Sequence, residues 1–161
     1  MATEYHLKLN GAPGESGSGK HKDEIEVLSW SWGATNPTSI HGSGLSAGKV
    51  AFADISITKP VDKASAKLLE LCCTGKHIDK GILTCSKSTG DKNPEDYLTI
   101  ELNEIHISGV QHGGSSGQDI GTETITLAFG KISFDYKMQK PDGTQVAAGK
   151  TVYDIIGRQI S

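Results

Sequence analysis

The chain has 161 residues, 22% of them charged, and carries a net charge of −3. Without a basic excess it has no electrostatic invitation to nucleic acid or to an anionic membrane, and no apolar run is long enough to cross a bilayer. The length suits one domain over residues 1–161 with a core of useful size. The first residues, Met1 to Leu7, lack a cationic stretch followed by an apolar one, so no secretory signal is expected. Three cysteines, Cys72, Cys73 and Cys85, read as free thiols of a reducing compartment. The 20 glycines gather in particular segments, which favours a mainly β chain with many special turns.

In chain order, Tyr5–Leu9 alternates weakly as a first strand, and Asn10–Lys22 reads as a solvated Gly/Ser/Lys loop. Asp23–Gly33 holds both tryptophans. Ile25 and Val27 alternate with Glu24 and Glu26; then Leu28, Trp30 and Trp32 share one face, and Ser29 and Ser31 the other. A bulge that swaps faces, or a cover over the Trp face, is needed to reconcile the two halves. Ala34–Ala47 reads as a long loop, of the kind that is functional or mobile. Gly48–Lys59 is a strand with Ile55 and Ile57 on one face. A helix over about 62–74 follows, capped by Asp62 with Pro60 upstream, closed by Gly75 and striped by Ala64, Leu68, Leu71 and Cys72.

Ile82–Lys87 is a further strand. In Tyr97–Val110 the apolar phase slips from Leu98, Ile100 and Leu102 to Ile105 and Ile107, which predicts a bulge near Asn103 and Glu104. From Thr122 it slips again at Gly130, between Ile125, Leu127, Phe129 and Ile132, Phe134, Tyr136, Met138. A Pro141–Gly143 turn and a strand over Thr151–Ile156 complete the chain. Slips in two long strands predict a mainly β fold: a single curved β-barrel of two packed antiparallel sheets with one helix at its side.

The catalytic inventory is thin. Gly14–His21 nearly spells a phosphate loop, but His21 replaces the hydroxyl residue and a strand pattern follows instead of a helix. Gly42–Gly48 precedes a strand, so it does not meet the dinucleotide fingerprint. Cys72, Cys73, His77 and Cys85 lack metal-ligand spacing, and Cys73 with His77 has nothing to orient the imidazole. No enzyme activity, cofactor or metal is expected. A ligand- or carbohydrate-binding β-barrel module, stacking sugars on Trp30 or Trp32, is the alternative of a different class.

Taken in sequence, Glu24–Gly33 (Glu-Ile-Glu-Val-Leu-Ser-Trp-Ser-Trp-Gly), Ala47–Val50, Ile57–Lys63, Cys73–His77 and Thr122–Phe129 resemble the haemolysin-coregulated proteins, Hcp, of bacterial type VI secretion. The match in order and spacing runs from about Tyr5 to Gln159. The resemblance implies a small β-barrel that forms a homohexamer. Such rings stack into the inner tube of a contractile injector, inside a sheath and beneath a spike protein at the tip. It implies assembly in the bacterial cytoplasm, export without a cleaved signal to the extracellular space or a target cell, and carriage of small effector proteins in the ring lumen. It places Ser29 and Ser31 on the lumen and effector face. It assigns contacts with neighbouring protomers and rings to Asn36, Pro37, Thr38, Ser39, Ile40, His41, Gly42, Ser43, Gly44, Leu45 and Ser46. In this stretch many relatives carry a longer Gly run. No C-terminal toxin domain is expected after Ser161.

Overall fold

The computed structural model describes residues 3–41, 44–88 and 93–160. In chain order the strands are β1 (Thr3–Leu9), β2 (Ile25–Val27), β3 (Ser29–Ser31), β4 (Ala34–Thr35), β5 (Thr38–His41), β6 (Gly44–Ala47), β7 (Ala51–Phe52) and β8 (Ile55–Pro60). Helix α1 (Ser65–Thr74) comes next. It is followed by β9 (Ile78–Lys87), β10 (Glu95–Gly113), β11 (Thr122–Ala128), β12 (Lys131–Gln139), β13 (Gln145–Asp154) and β14 (Gln159–Ile160).

The organising strand is β10, 19 residues long. Its first half pairs with β9 on one side and β12 on the other, and its second half pairs with β11. Strand order then runs β2-β1-β9-β10-β12-β13-β14 in one direction and β10-β11-β8-β3 in the other, antiparallel at every pairing. The two sheets are therefore continuous through β10 and curve around a shared core. The expected bulge is present: Glu104 has φ +52°, and the Gly130 amide donates to the carbonyls of Asn103 and Glu104 at 3.0 and 3.2 Å. This left-handed residue lets Leu98, Ile100, Leu102, Ile105 and Ile107 all turn inward and be buried.

The Trp segment is two strands, not one. β2 pairs with β1, whereas β3 pairs with β8, and the break falls at Leu28, whose amide donates to the Thr58 carbonyl at 2.8 Å. Changing sheets reverses the phase, which is why Val27 is buried and Leu28 is 55% exposed. The expectation that Leu28 packs with the tryptophans is corrected. Trp30 and Trp32 are half-buried against the core.

Three further expectations are revised. Residues 10–22 are not a solvated loop. Gly14 and Ser16 donate to the carbonyls of Asp23 and Glu24, and Ala12, Ser16 and His21 are buried. A Cβ on Gly14 would stand 2.5 Å from the Glu24 carbonyl oxygen, so only glycine permits this approach. Ala34–Ala47 is not irregular: it contributes β4 and the β5–β6 hairpin. The helix begins at Ser65, later than 62, because Asp62 works one turn ahead of it: its Oδ1 accepts from the Ala64 amide at 2.9 Å. Its apolar stripe holds. Ala64, Leu68 and Leu71 are buried, with roughly 1.5–3 kcal/mol available from burying each leucine. Gly75 closes the helix at φ +69°, a conformation open to glycine, with its amide on the Leu71 carbonyl.

Candidate functional site

The alternation of β8 and β11 builds two unlike surfaces from one ladder. Ile57 stands opposite Ile125 and Ile55 opposite Leu127, all facing inward and buried. The residues between them face outward. Ser29 pairs with Thr58, which pairs with Thr124; Ser31 pairs with Ser56, which pairs with Thr126. Six small hydroxyl side chains thus cover one face across three strands. Ser29 and Ser31, at the β3 edge, are exposed. Alternation set the two serines on one face; the other four enter through register, which a single sequence does not reveal.

The tryptophans brace this face from behind and beside. Trp30 meets Tyr5 edge-on at 6.2 Å, and Trp32 stacks on Phe52 at 6.4 Å and meets Phe134 at 6.3 Å. Both indoles are half-buried and engaged in packing.

The assigned contact segment is a self-contained hairpin. Thr38, Ser39, Ile40 and His41 pair with Ala47, Ser46, Leu45 and Gly44, and among the described residues β5 and β6 pair with no other strand. Its base is tied by the Gly48 amide to the Pro37 carbonyl at 2.7 Å. Asn36, Pro37, Thr38 and Ser39 are exposed, while Gly42 and Ser43 lie outside the described residues. A second feature is the β12–β13 hairpin, whose outer part runs on past the end of the β10 ladder. Phe134, Tyr136 and Met138 follow buried Ile132 on one row yet are 36–48% exposed. The inward phase continues there, but Tyr136 is the last residue with a partner on β10; Phe134 is met by Trp32, and the row beyond it stays about half exposed among the described residues.

Two buried polar clusters went unread in the sequence. Lys59 and Glu123 are directly opposed across β8 and β11 on the inward face, and both are buried. Lys59 Nζ donates to Glu123, to Asp62 Oδ1 at 2.9 Å and to the Pro60 carbonyl at 3.0 Å. Ser65 Oγ donates to Glu123 Oε1 at 2.6 Å, and His112 Nε2 meets the other carboxylate oxygen. Burial would raise the Glu123 pKa, but the bonds from Lys59 and Ser65 outweigh it and hold the group below its ordinary value. Carrying the alternation of Ile55 and Ile57 two residues further points Lys59 inward, and that was the available signal.

The other cluster fastens residues 10–24 to the sheet. His21 lies between Glu24 (Nδ1 to Oε2, 2.5 Å) and Asp96 (Nε2 to Oδ1, 3.0 Å), with Ser86 Oγ on Asp96 at 2.6 Å and His6 stacked on the ring at 4.7 Å. Burial would lower the His21 pKa, yet the bonds to Asp96 and Glu24 raise it. Burial, and then the charge on His21, lower that of His6. The signs oppose. Stability from His21 is full below about 6.5 and is lost as pH rises through its raised value. Stability from neutral His6 is full above about 6.5 and is lost as pH falls through its lowered value. His21→Gln is therefore expected to cost about 1–3 kcal/mol in urea unfolding at pH 6, with the difference from the parent shrinking by pH 8.5. A cost independent of pH would show that His21 acts by shape alone.

Among the described residues no group of three or more His, Cys, Asp or Glu is placed to hold a metal. His77 is near Asp79 and Glu104, at 3.7 and 3.6 Å. Burial pushes the Cys85 thiol up to about 11, which suits a core side chain rather than a nucleophile. Residues 19–21 form a single 3-10 turn that leads into β2, so the phosphate-loop pattern lacks its helix.

Comparison with known proteins agrees with this architecture. The family described as "Type VI secretion system effector, Hcp" matches residues 6–136. Protein hcp1 of Pseudomonas aeruginosa is 42% identical over 146 residues, 90% of each chain. A solved structure of a type six secretion system protein superposes with a TM-score of 0.92 at 29% identity, covering 99% of this chain and 100% of that one. Hcp1 from Salmonella typhimurium superposes with a TM-score of 0.81 at 33% identity over the whole of both chains. With a family match over most of its length and these relatives beside it, the chain belongs to the Hcp family, the tube proteins of type VI secretion.

Proposed function

We propose that this chain is a ring-forming tube subunit: it assembles as a homohexamer, the rings stack inside a contractile sheath beneath a spike protein, and small effector proteins travel in the lumen. Assembly takes place in the bacterial cytoplasm and the rings are exported. The observation that carries this reading is the row Phe134, Tyr136 and Met138 on β12, three large side chains in an inward phase that stay 36–48% exposed even with Trp32 against Phe134. Beside it the outer edge of β13 is paired only at Tyr153 and Asp154. A neighbouring protomer would cover the row and end the open edge, which a soluble β protein otherwise has to protect by other means. The hydroxyl face around Ser29 and Ser31 suits a wall against which water or cargo slides, since small polar groups offer hydrogen bonds without apolar adhesion. The role is structural and requires no catalytic set.

Light scattering of the purified protein, followed by electron micrographs, tests the reading. Six-fold mass and particles with a central hole are expected; a monomer at all concentrations would overturn it. Ser31→Gln places a longer side chain on the proposed wall. It is expected to leave ring mass unchanged and to reduce co-purified cargo several-fold. Unaltered cargo retention would remove Ser31 from the effector surface.

A further inference from the structure

A groove of about 290 Å³ opens where β2 leaves β1. β1 is paired with β9 along its whole length, from Thr3 to Leu9, but β2 covers only Tyr5 to Leu7 on the other side. Past Val27 the chain turns away to β8, so the edge of β1 at Thr3 and Glu4 has no strand partner among the described residues. The groove beside that edge is lined by Glu4, Tyr5, His6, Ser18, Glu26 and the exposed side chain of Leu28, among others. His6 is only 3% exposed, and its Nδ1 is buried with no hydrogen-bond partner among the described residues. His6 lines the groove, and a buried ring nitrogen without a partner is unusual, because buried polar atoms are paired in the great majority of cases.

The chemistry of the missing partner is constrained. Burial, and then the charge on His21, lower the His6 pKa and so favour its neutral ring, which carries one acceptor nitrogen. The charged side chains that line the groove, Glu4 and Glu26, are both anionic and exposed. Lys20 and Lys22 of the preceding segment are not among the lining residues. A cationic group rich in donors satisfies the acceptor and both carboxylates. An open strand edge alongside asks for extended backbone, the arrangement by which peptides add to sheets. We propose that the groove takes an arginine or lysine side chain carried on an extended segment of another protein, which adds as a short strand along the Thr3–Glu4 edge of β1. The site lies within one protomer and does not depend on the ring reading. It adds a basic extended segment to the chemistry by which a passenger or partner is recognised.

The probe is a fluorescein-labelled peptide, Thr-Val-Arg-Val-Thr, compared with the same peptide carrying citrulline in place of arginine. Citrulline keeps the shape and removes the charge. The arginine peptide is expected to bind about tenfold or more tightly, as suits a charge-assisted pair, with weaker binding at higher salt. Glu4→Gln with Glu26→Gln, at two exposed positions, is expected to erase the preference while leaving the melting temperature unchanged. In ¹⁵N spectra the His6 ring signal is expected to move on adding the arginine peptide. Equal binding of the two peptides, an undiminished preference in the double variant, or a motionless His6 signal would each overturn the proposal. Light scattering of the same samples reports ring mass, so the peptide site and the ring can fail separately.

Discussion

Lys59→Met is expected to lower the unfolding free energy by about 3–5 kcal/mol, among the largest effects available to one substitution in this chain. The reason lies in what is left behind. Methionine fits the volume and suits the apolar neighbours Ile57 and Ile125, so the loss of packing is small. Glu123, however, stays buried with its main cation gone, and Asp62 and the Pro60 carbonyl each lose a donor. A carboxylate in that position either keeps its charge at great cost or takes up a proton.

The sign follows from the depressed Glu123 pKa. Its stabilisation is present above the ordinary value near 4.5 and is lost as pH falls below it through the lowered folded value, so the parent protein keeps this contribution at neutral pH. In the variant the Glu123 pKa rises, and the penalty reaches up toward neutral pH. Chemical unfolding of parent and variant at several pH values measures both effects. Lys59→Met combined with Glu123→Gln is expected to recover a large share of the loss, since an uncharged amide can still bond to Ser65 and His112. A single variant as stable as its parent would mean that the buried pair is not what anchors the start of α1.

The sequence was legible where one strand or one helix decides the outcome. The apolar stripe of α1, its Gly75 stop, the bulge at Glu104 and the Pro141–Gly143 turn are local, and each is where the residues indicate: Gly143, for instance, has φ +88° and donates to Lys140. What escaped was decided between strands. Leu28 reverses its face because the chain changes sheets there, and no periodicity within Asp23–Gly33 says so. Asn10–Lys22 is polar in composition yet folds inward, because Glu24 and Asp96 supply His21 with partners 3 and 75 positions away. Ile132, Phe134, Tyr136 and Met138 share one phase, but among the described residues Ile132 is buried while the other three stay 36–48% exposed. The hydroxyl face is half legible: Ser29 and Ser31 stand out on one strand, whereas Ser56, Thr58, Thr124 and Thr126 join them only through register.

The hairpin gives the second large effect, on assembly instead of stability. Removing Thr38–Ala47 and joining Pro37 to Gly48 through two glycines is expected to leave the protomer folded, with a melting temperature within about 2–4 °C of the parent, the shift that 1 kcal/mol makes at this chain length. The ends of the deleted segment are already adjacent, at the 2.7 Å bond between Gly48 and Pro37, so the short link closes without strain. Among the described residues β5 and β6 pair only with each other, so no described ladder in the main sheets is broken. A free two-stranded hairpin is marginal by itself, and its retention as ordered structure makes sense when a neighbour holds it. Ring mass by light scattering is expected to persist, because Phe134, Tyr136, Met138 and the β13 edge are untouched. Stacked tubes in micrographs, and protein exported to the medium, are expected to fall at least tenfold. Normal tubes and export from the shortened chain would take the ring-to-ring contact away from Asn36–Ser46. A protomer that no longer folds would show that the hairpin serves the fold itself, and would remove the assembly role from the same residues.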